Sequence, residues 1–495
     1  MNLRITSDNL GIYSKRFAID KQGVLLVKNC LIWFRNDLRL TDNQTVNLCL
    51  ANNYSVLPLY IIDESMDIGS SSRWWLKKSL GSLCKSMSGN LVIKKGDPKT
   101  ILKQLIDSYD ITDVCWNARY SKQELSQDKE IEEYIIKHGL TLNIYHSTLL
   151  RDPSKTLKKD GTPFKVYTPF YKQKYSEFKY ESYNYDIRKL HYLPTRESKD
   201  SKSVIEAAVP EENWHQKLDS VWEPGEKGAN TRLDTFLSSG LQGYAEDRNR
   251  PDLPKTSMLS PHIRFGEISI RKIADSIQDD NSQDSETFYK ELVWREFSYH
   301  LLFHFPHLTH DNLQKKFDSF KWENTQKNIE SWQKGLTGYP IVDAGMRQLW
   351  QTGYMHNRVR MIVGSFLVKN LLTHWKYGQE WFWDTLVDAD IASNSASWQW
   401  VAGTGADAAP YFRIFNPVTQ SKKFDPNGEY IKKYIPELKA IPSKYIHLPS
   451  ELDDKSLIEF GVKLGKDYPH PIVDLSVTRQ RALDAFQKLP KQTSN

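Results

Sequence analysis

The stretch CLIWFRNDLRLTDN (30–43) decides the fold. Five apolar residues read as a buried strand, and a charged loop follows at once. Four more apolar or β-branched runs come after it: SVLPLYII (55–62), LVIKK (91–95), DVCW (113–116) and LTLNIYH (140–146). Between several of them lie helical patterns such as SSRWWLKKSLGSLCKSM (71–87) and PKTILKQLIDSY (98–109). Strands that alternate with helices predict an α/β domain with a parallel sheet. The loop after the first strand, RNDLRLTDN (35–43), holds no GxGxxG, so an ordinary dinucleotide site is not expected there. Its mixed charges read as a structural, ion-paired loop.

Further along, the pattern changes twice. KYSEFKYESYNYDIRKL (174–190) and TRESKDSKSVIEAAVPEEN (195–213) are polar, charged and aperiodic. They predict a long connector running over the surface. From about 226, helical periodicity dominates, as in ANTRLDTFLSSGLQGYAEDR (229–248) and SETFYKELVWREFSYHLLFHF (285–305). The expected division is an N-terminal extension (1–28), an α/β domain (29–151), a linker (152–225), an all-α domain (226–488) and a short tail (489–495). Of 15 Trp residues, only Trp33, Trp74, Trp75 and Trp116 fall in the α/β part, so the aromatic excess belongs to the helical domain.

A chain of 495 residues with 39% hydrophobic content supports two or three domains. Its net charge of +6 suits a polyanionic partner without requiring one. No apolar run is long enough to span a membrane, and the N-terminus has no signal-peptide core. Asp8 and Asp20 in the extension argue against a transit peptide. Cys30, Cys49, Cys84 and Cys115 show no metal-ligand spacing, so neither a zinc site nor a disulfide framework is expected and a reducing compartment fits.

Several stretches carry chemistry. DADIASNSASWQW (388–400) mixes Asp388, Asp390, Asn394, Trp398 and Trp400 among small residues, which suits a buried pocket around a flat polar ligand. YMHNRVRMIVGSF (354–366) puts Asn357 and Arg360 on one helical face and Arg358 and Met361 on another. A buried Arg there needs a counter-charge, and Asp388 or Asp390 can supply it. KTSMLSP (255–261) is a hydroxyl-rich turn before a helix, where an N-cap or a phosphate can sit. ELVWREF (291–297) places Glu291 beside Trp294 and Arg295, so an indole can stack on a base while a carboxylate meets its edge. Trp322, Trp375 and Trp398 lie on separate segments. Core anchoring accounts for them by spacing alone. DAAPYFRIFNP (407–417) reads as a loop crossing a pocket.

Taken together, LIWFRNDLRLTDN (31–43), GYPIVDAGMRQLWQTGYMHNRVRMIVGSFLVKNLL (338–372), DADIASNSASWQW and GTGADAAPYFRIFNPVTQSKKFDPNGEYI (403–431) resemble the photolyase/cryptochrome family. Within it the chain most resembles photolyases for cyclobutane pyrimidine dimers, of class I or a close relative. The resemblance implies a Rossmann-like domain, a helical domain holding bent FAD, and a second, antenna chromophore near SSSRWWLKKSL (70–80) and CWNARYSKQE (115–124): a folate, a deazaflavin or a flavin.

By the same resemblance, Tyr244, Thr256, Ser257, Met258, Leu259, Ser260, Asn357, Arg360, Asp388, Asp390 and Asn394 bind FAD, with Asp388 paired to Arg360 and Asn394 facing the flavin N5. Trp398, Trp375 and Trp322 become an electron-transfer chain. Glu291, Trp294, Met361 and Trp400 wall the lesion pocket, with Asn357 between lesion and flavin. Arg248, Arg295, Arg358 and Gln420 face DNA phosphates. The implied reaction is light-driven splitting of the dimer by an electron lent from reduced, anionic FAD, with no metal. The implied protein is a monomer in the bacterial cytosol or another DNA-containing, reducing compartment. Asn394 and the short tail favour repair over a cryptochrome-type photoreceptor. Asn357 after His356 argues against a (6-4) photolyase.

Overall fold

The computed structural model describes residues 28–490, apart from 66, 178, 181–184, 210–212, 409 and 412. The expected extension, save Lys28, and the last five residues lie outside the described residues.

Five strands form as the apolar runs predict: β1 (Asn29–Phe34), β2 (Ser55–Ile62), β3 (Val92–Lys95), β4 (Asp113–Asn117) and β5 (Thr141–Tyr145). Their order is β3-β2-β1-β4-β5, with every pair parallel. Helices α1 (Gln44–Asn52), α2 (Ser70–Ser86), α3 (Pro98–Ser108) and α4 (Lys122–Lys137) make the crossovers. Alternation along β1 explains the two faces: Ile32 and Phe34 pack with Val46, Leu76 and Leu80 of α1 and α2, while Leu31 and Trp33 pack with Leu102, Leu105 and Ile131 of α3 and α4. Local chemistry fixes the helix starts. Asp97 accepts from Thr100 N before Pro98, and Ser121 and Glu124 form a reciprocal capping box on α4.

The strand order reverses between β1 and β4, the crevice where open α/β sheets usually bind ligands. Here the loop 35–43 fills it. Asp37 Oδ2 accepts from Asn43 Nδ2 (3.1 Å) and Asn117 Nδ2 (2.6 Å), and Arg35 Nη1 pairs with Asp128 Oδ1 at 2.6 Å. The buried Arg39 donates to the carbonyls of Asp42 (3.0 Å), Ser147 (3.2 Å) and Gly266 (3.0 Å). Gly266, at φ +64, lies so close that a Cβ would sit 2.1 Å from the Asn36 carbonyl oxygen. The loop is therefore structural, as expected, and it clasps the sheet to the helical part.

The expectation that 152–225 runs over the surface is corrected. Phe164 and Phe170 are fully buried, with Tyr167, Tyr175 and Tyr180 nearly so, in the same core as Phe288 and Phe297. A two-residue strand, β6 (His191–Tyr192), adds to β2. The segment is aperiodic, so its anchors are isolated aromatics rather than one amphipathic face, and pattern reading misses them.

The helical part uses α5 (Tyr167–Lys174), α6 (Gln283–His304), α7 (Pro340–Thr352), α8 (Asn357–Ser365), α9 (Trp375–Thr385), α10 (Ile391–Ala402), α11 (Pro417–Phe424) and α12 (Leu475–Gln487), with further helices between them. Helices α7 to α10 enclose a core that includes Trp332, Phe366, Trp375, Phe382 and Trp398. The buried Trp332 indole donates to Val363 O at 3.0 Å, so its one polar atom is satisfied. Among the described residues no helix is long and apolar enough to cross a membrane.

Candidate active site

Helix α10 begins where Asp390 accepts from Ser393 N at 2.8 Å. Asp390, Asn394 and Trp398 recur every fourth residue, so they share one face. The second Asp390 oxygen accepts from the Tyr299 hydroxyl of α6. Both its oxygens thus have protein partners, which makes Asp390 a capping residue.

Asp388 is different. Its Oδ2 accepts from Arg360 Nη2 (2.8 Å) and Ser260 Oγ (2.6 Å), while its buried Oδ1 has no partner. The pairing expected with Arg360 is present. Burial works against the Arg360 charge, but Asp388 outweighs it and holds the guanidinium above its usual value. Ser260 brings the 256–260 turn to the same place. Met258 takes φ +52 in that turn, and Leu259 N donates to Ser257 Oγ at 3.4 Å. Thr256 interacts with the buried Tyr354 hydroxyl. The helix after the turn, Ser260–Arg264, has five residues, and its Ser260 hydroxyl is committed to Asp388. Tyr244 is buried against Phe236 (5.5 Å) and Phe288 (5.4 Å), with the Arg248 guanidinium 5.7 Å from its ring.

Asn394 Nδ2 donates to Gln379 O of α9 at 3.0 Å, and Gln379 Nε2 donates to Ser395 Oγ at 2.8 Å. Together they line a cavity of about 360 Å³ between α9, α10 and residues 67–73. A second cavity, about 690 Å³, opens between α4 and the end of α6 and is lined by Ser121, Gln123 and Gln127. It takes in part of the CWNARYSKQE stretch. From the other stretch expected near an antenna, Trp74 and Trp75 are fully buried core residues, and only Arg73 with the preceding Gly69 lines a cavity, the smaller one.

The three tryptophans take up graded positions. Trp398 is buried against Phe382 at 5.0 Å and against α9 at Gly378. Trp375 opens α9, fully buried, with its indole donating to Asn312 Oδ1 at 2.9 Å. The His374 ring lies 5.3 Å from Trp375 and 5.2 Å from the partly exposed Trp322, so it links the two.

A separate polar group gathers between α6, α8 and residues 248–249. Glu291 Oε1 pairs with Arg248 Nη1 at 2.7 Å, with side chains 30% and 20% exposed. Burial pushes the Glu291 carboxyl up, against the pull of Arg248 and Arg358. Arg358 donates to Asn249 Oδ1 (2.7 Å) and lies over Phe424 (4.5 Å). Phe424 shares a face of α11 with the partly exposed Gln420. Asn357 is exposed at the start of α8, and Met361 and Trp400 are partly exposed.

Two placements differ from expectation. Arg295 is not on a rim: its side chain is 14% exposed, donates to Thr148 O at 3.0 Å, and lies over the Tyr299 ring at 4.7 Å. Arg295, four residues on from Glu291, is drawn inward by the Thr148 carbonyl and the Tyr299 ring, which explains the loss of access. Trp294 already has a stacking partner, since Tyr167 lies parallel to it at 3.6 Å and 5°. Sequence reasoning missed Tyr167, Gln379, Gly378 and Tyr299. None carries a spacing signal toward the site, because they reach it from three separate helices, α5, α6 and α9.

Residues 30–190 match the family described as "DNA photolyase", and residues 288–488 match "FAD binding domain of DNA photolyase". The chain is 44% identical to a deoxyribodipyrimidine photo-lyase of Agrobacterium fabrum, over 94% of this chain and 98% of that one. It is 34% identical to cryptochrome-2 of Arabidopsis thaliana, over 93% and 79%. A solved bacterial class III photolyase from Agrobacterium tumefaciens superposes with a TM-score of 0.88 at 43% identity, covering 94% of this chain and 99% of that one. That structure is of a class III photolyase, whereas the sequence resemblance is to class I or a close relative. With the parallel sheet, the helical domain and the Arg360–Asp388–Ser260 junction in place, the chain belongs to the photolyase/cryptochrome family.

Proposed function

We propose that the protein is a DNA photolyase that splits cyclobutane pyrimidine dimers in light. The observation that carries this is the match, along nearly the whole chain, to a deoxyribodipyrimidine photo-lyase. FAD is the cofactor that the helical domain holds. The site fits it on one point of geometry: Asp388 Oδ1 is a buried acceptor without a donor, beside a paired Arg360, which suits a hydroxyl or N–H of a bound flavin nucleotide. Arg360, Asp388, Asn394, Tyr244 and the 256–260 turn would hold the group. When bound and reduced, it supplies the light-driven electron.

The chain's own residues do the rest. Arg248 and Arg358 meet backbone phosphates, with Gln420 beside them. A flipped-out dimer is cheaper to extrude than a sound pair, because damage has already weakened its pairing. Trp294, braced from behind by Tyr167, and Trp400 pack against the exposed bases. Glu291, paired with Arg248, meets a base edge with its carboxyl group. Asn394 offers a neutral amide where a second negative charge would be costly. Trp322, Trp375 and Trp398 conduct electrons inward to recharge the cofactor.

The cavity of about 690 Å³ is the place for a second, light-gathering chromophore, a folate, deazaflavin or flavin. The partner is damaged DNA, and the protein acts as a monomer in the cytoplasm. The test is illumination of the chemically reduced protein with a dimer-containing oligonucleotide. Recovery of absorbance in the thymine band is expected. Unchanged absorbance with the flavin fully reduced would overturn the assignment.

A further inference from the structure

Three of the four cysteines, far apart in sequence and without metal-ligand spacing, meet in the α/β domain. Cys30 stands on β1, Cys115 on β4 and Cys49 on α1, and their sulfurs all lie within 4.8 Å of one another. Cys30 Sγ and Cys115 Sγ are 3.6 Å apart. The register explains it. Cys30 pairs with Asp113, so Cys115, two residues on, projects from the same face, and α1 lowers Cys49 onto that face. None of the three is more than 1% exposed, and all are free thiols.

We propose that Cys30, Cys49 and Cys115 form a closed, all-sulfur site for one soft monovalent metal ion, copper(I). The donor set argues for this. Thiolate ligands select soft ions, and no histidine or carboxylate joins the group. Zinc favours four ligands in a closed site, and this one offers three. The nearest carboxylate, Asp113, is taken up by Lys28 at 3.2 Å and by the Tyr54 hydroxyl at 3.5 Å. Binding forms copper–sulfur bonds, releases thiol protons to solvent and transfers no electron. The partly exposed Tyr54 packs against the core that holds the three sulfurs.

The test loads the full-length flavoprotein with copper(I) under anaerobic conditions and challenges it with bathocuproine disulfonate. The expected result is one copper retained per chain, with three sulfur neighbours by X-ray absorption and a raised thermal midpoint. Cys49→Ser should weaken retention at least tenfold, and Cys84→Ser, outside the cluster, should leave it unchanged. Flavin absorbance and circular dichroism check that Cys49→Ser is folded. If it is not, the sulfur count in the parent decides. No copper retained by the parent, fewer than three sulfurs, preferential retention of zinc(II), a Cys30–Cys115 disulfide without metal, or loss on Cys84→Ser would overturn the proposal.

Discussion

Gly378 and Trp398 are in contact so close that a Cβ on Gly378 would fall 2.1 Å from the Trp398 ring carbon Cη2. The absent side chain is what seats the indole against α9, one turn along from Trp375. Gly378→Ala should displace the ring by roughly 1 Å and cost about 1–3 kcal/mol of stability. Photoreduction of oxidised flavin should slow, while repair by chemically reduced enzyme stays near the parent rate. Trp398→Phe should abolish photoreduction and spare repair in the same assay. Equal loss of both activities in Trp398→Phe would contradict this division of roles.

Asp388→Asn keeps the acceptor for Ser260 but strands the Arg360 charge. An unpaired buried charge costs about 3–5 kcal/mol. The variant should purify with much less flavin and melt earlier. Full flavin content with an unchanged melting temperature would remove Asp388 from the cofactor site.

Glu291→Ala should lower the quantum yield of repair and leave the flavin absorbance intact. Arg358→Ala should weaken DNA binding for all sequences alike and reduce the slope of log K against log salt by about 0.9, one phosphate contact. Titration of binding at several salt concentrations reads both effects. A slope equal to the parent's would place Arg358 away from the backbone.

Glu296 gives a pH signature. Burial raises its carboxyl from 4.5 to about 7, although Arg295 and the N–H groups of Leu150 and Arg151 oppose the shift. A raised carboxyl favours the protonated, folded form. Its contribution to stability is complete below 4.5 and is lost as pH rises through about 7. Against Glu296→Gln, which does not titrate, the parent should lose stability between pH 4.5 and 7, by about 3 kcal/mol at most, then run parallel above it. Denaturant titrations across that range measure the difference, and a flat difference would mean that Glu296 is ionised throughout.

What could be read from sequence was local or periodic. Strand runs such as CLIWF and SVLPLYII predict β1 and β2 because a parallel strand buried on both faces is apolar along its length. Once α10 is placed, the shared face of Asp390, Asn394 and Trp398 follows from helical spacing. A carboxylate partner for Arg360, Asp388 or Asp390, was legible because a buried guanidinium demands one, and the family resemblance singled out Asp388. What escaped depends on tertiary contact between unrelated segments. Tyr167 reaches Trp294 from the linker, Arg295 is drawn to Thr148, and three cysteines meet across β1, β4 and α1. No spacing rule encodes such meetings, since the distances along the chain are set by the connections and not by the chemistry.

The clasp at Arg39 and Gly266 has a consequence for how the molecule can be cut. Each half supplies the other with groups that water would otherwise have to solvate: a guanidinium from one side, a carbonyl from the other, and a backbone approach that tolerates no methyl group. A nick in the exposed parts of 152–225 would therefore leave two fragments that copurify, whereas either piece expressed alone would carry an unsolvated seam and aggregate.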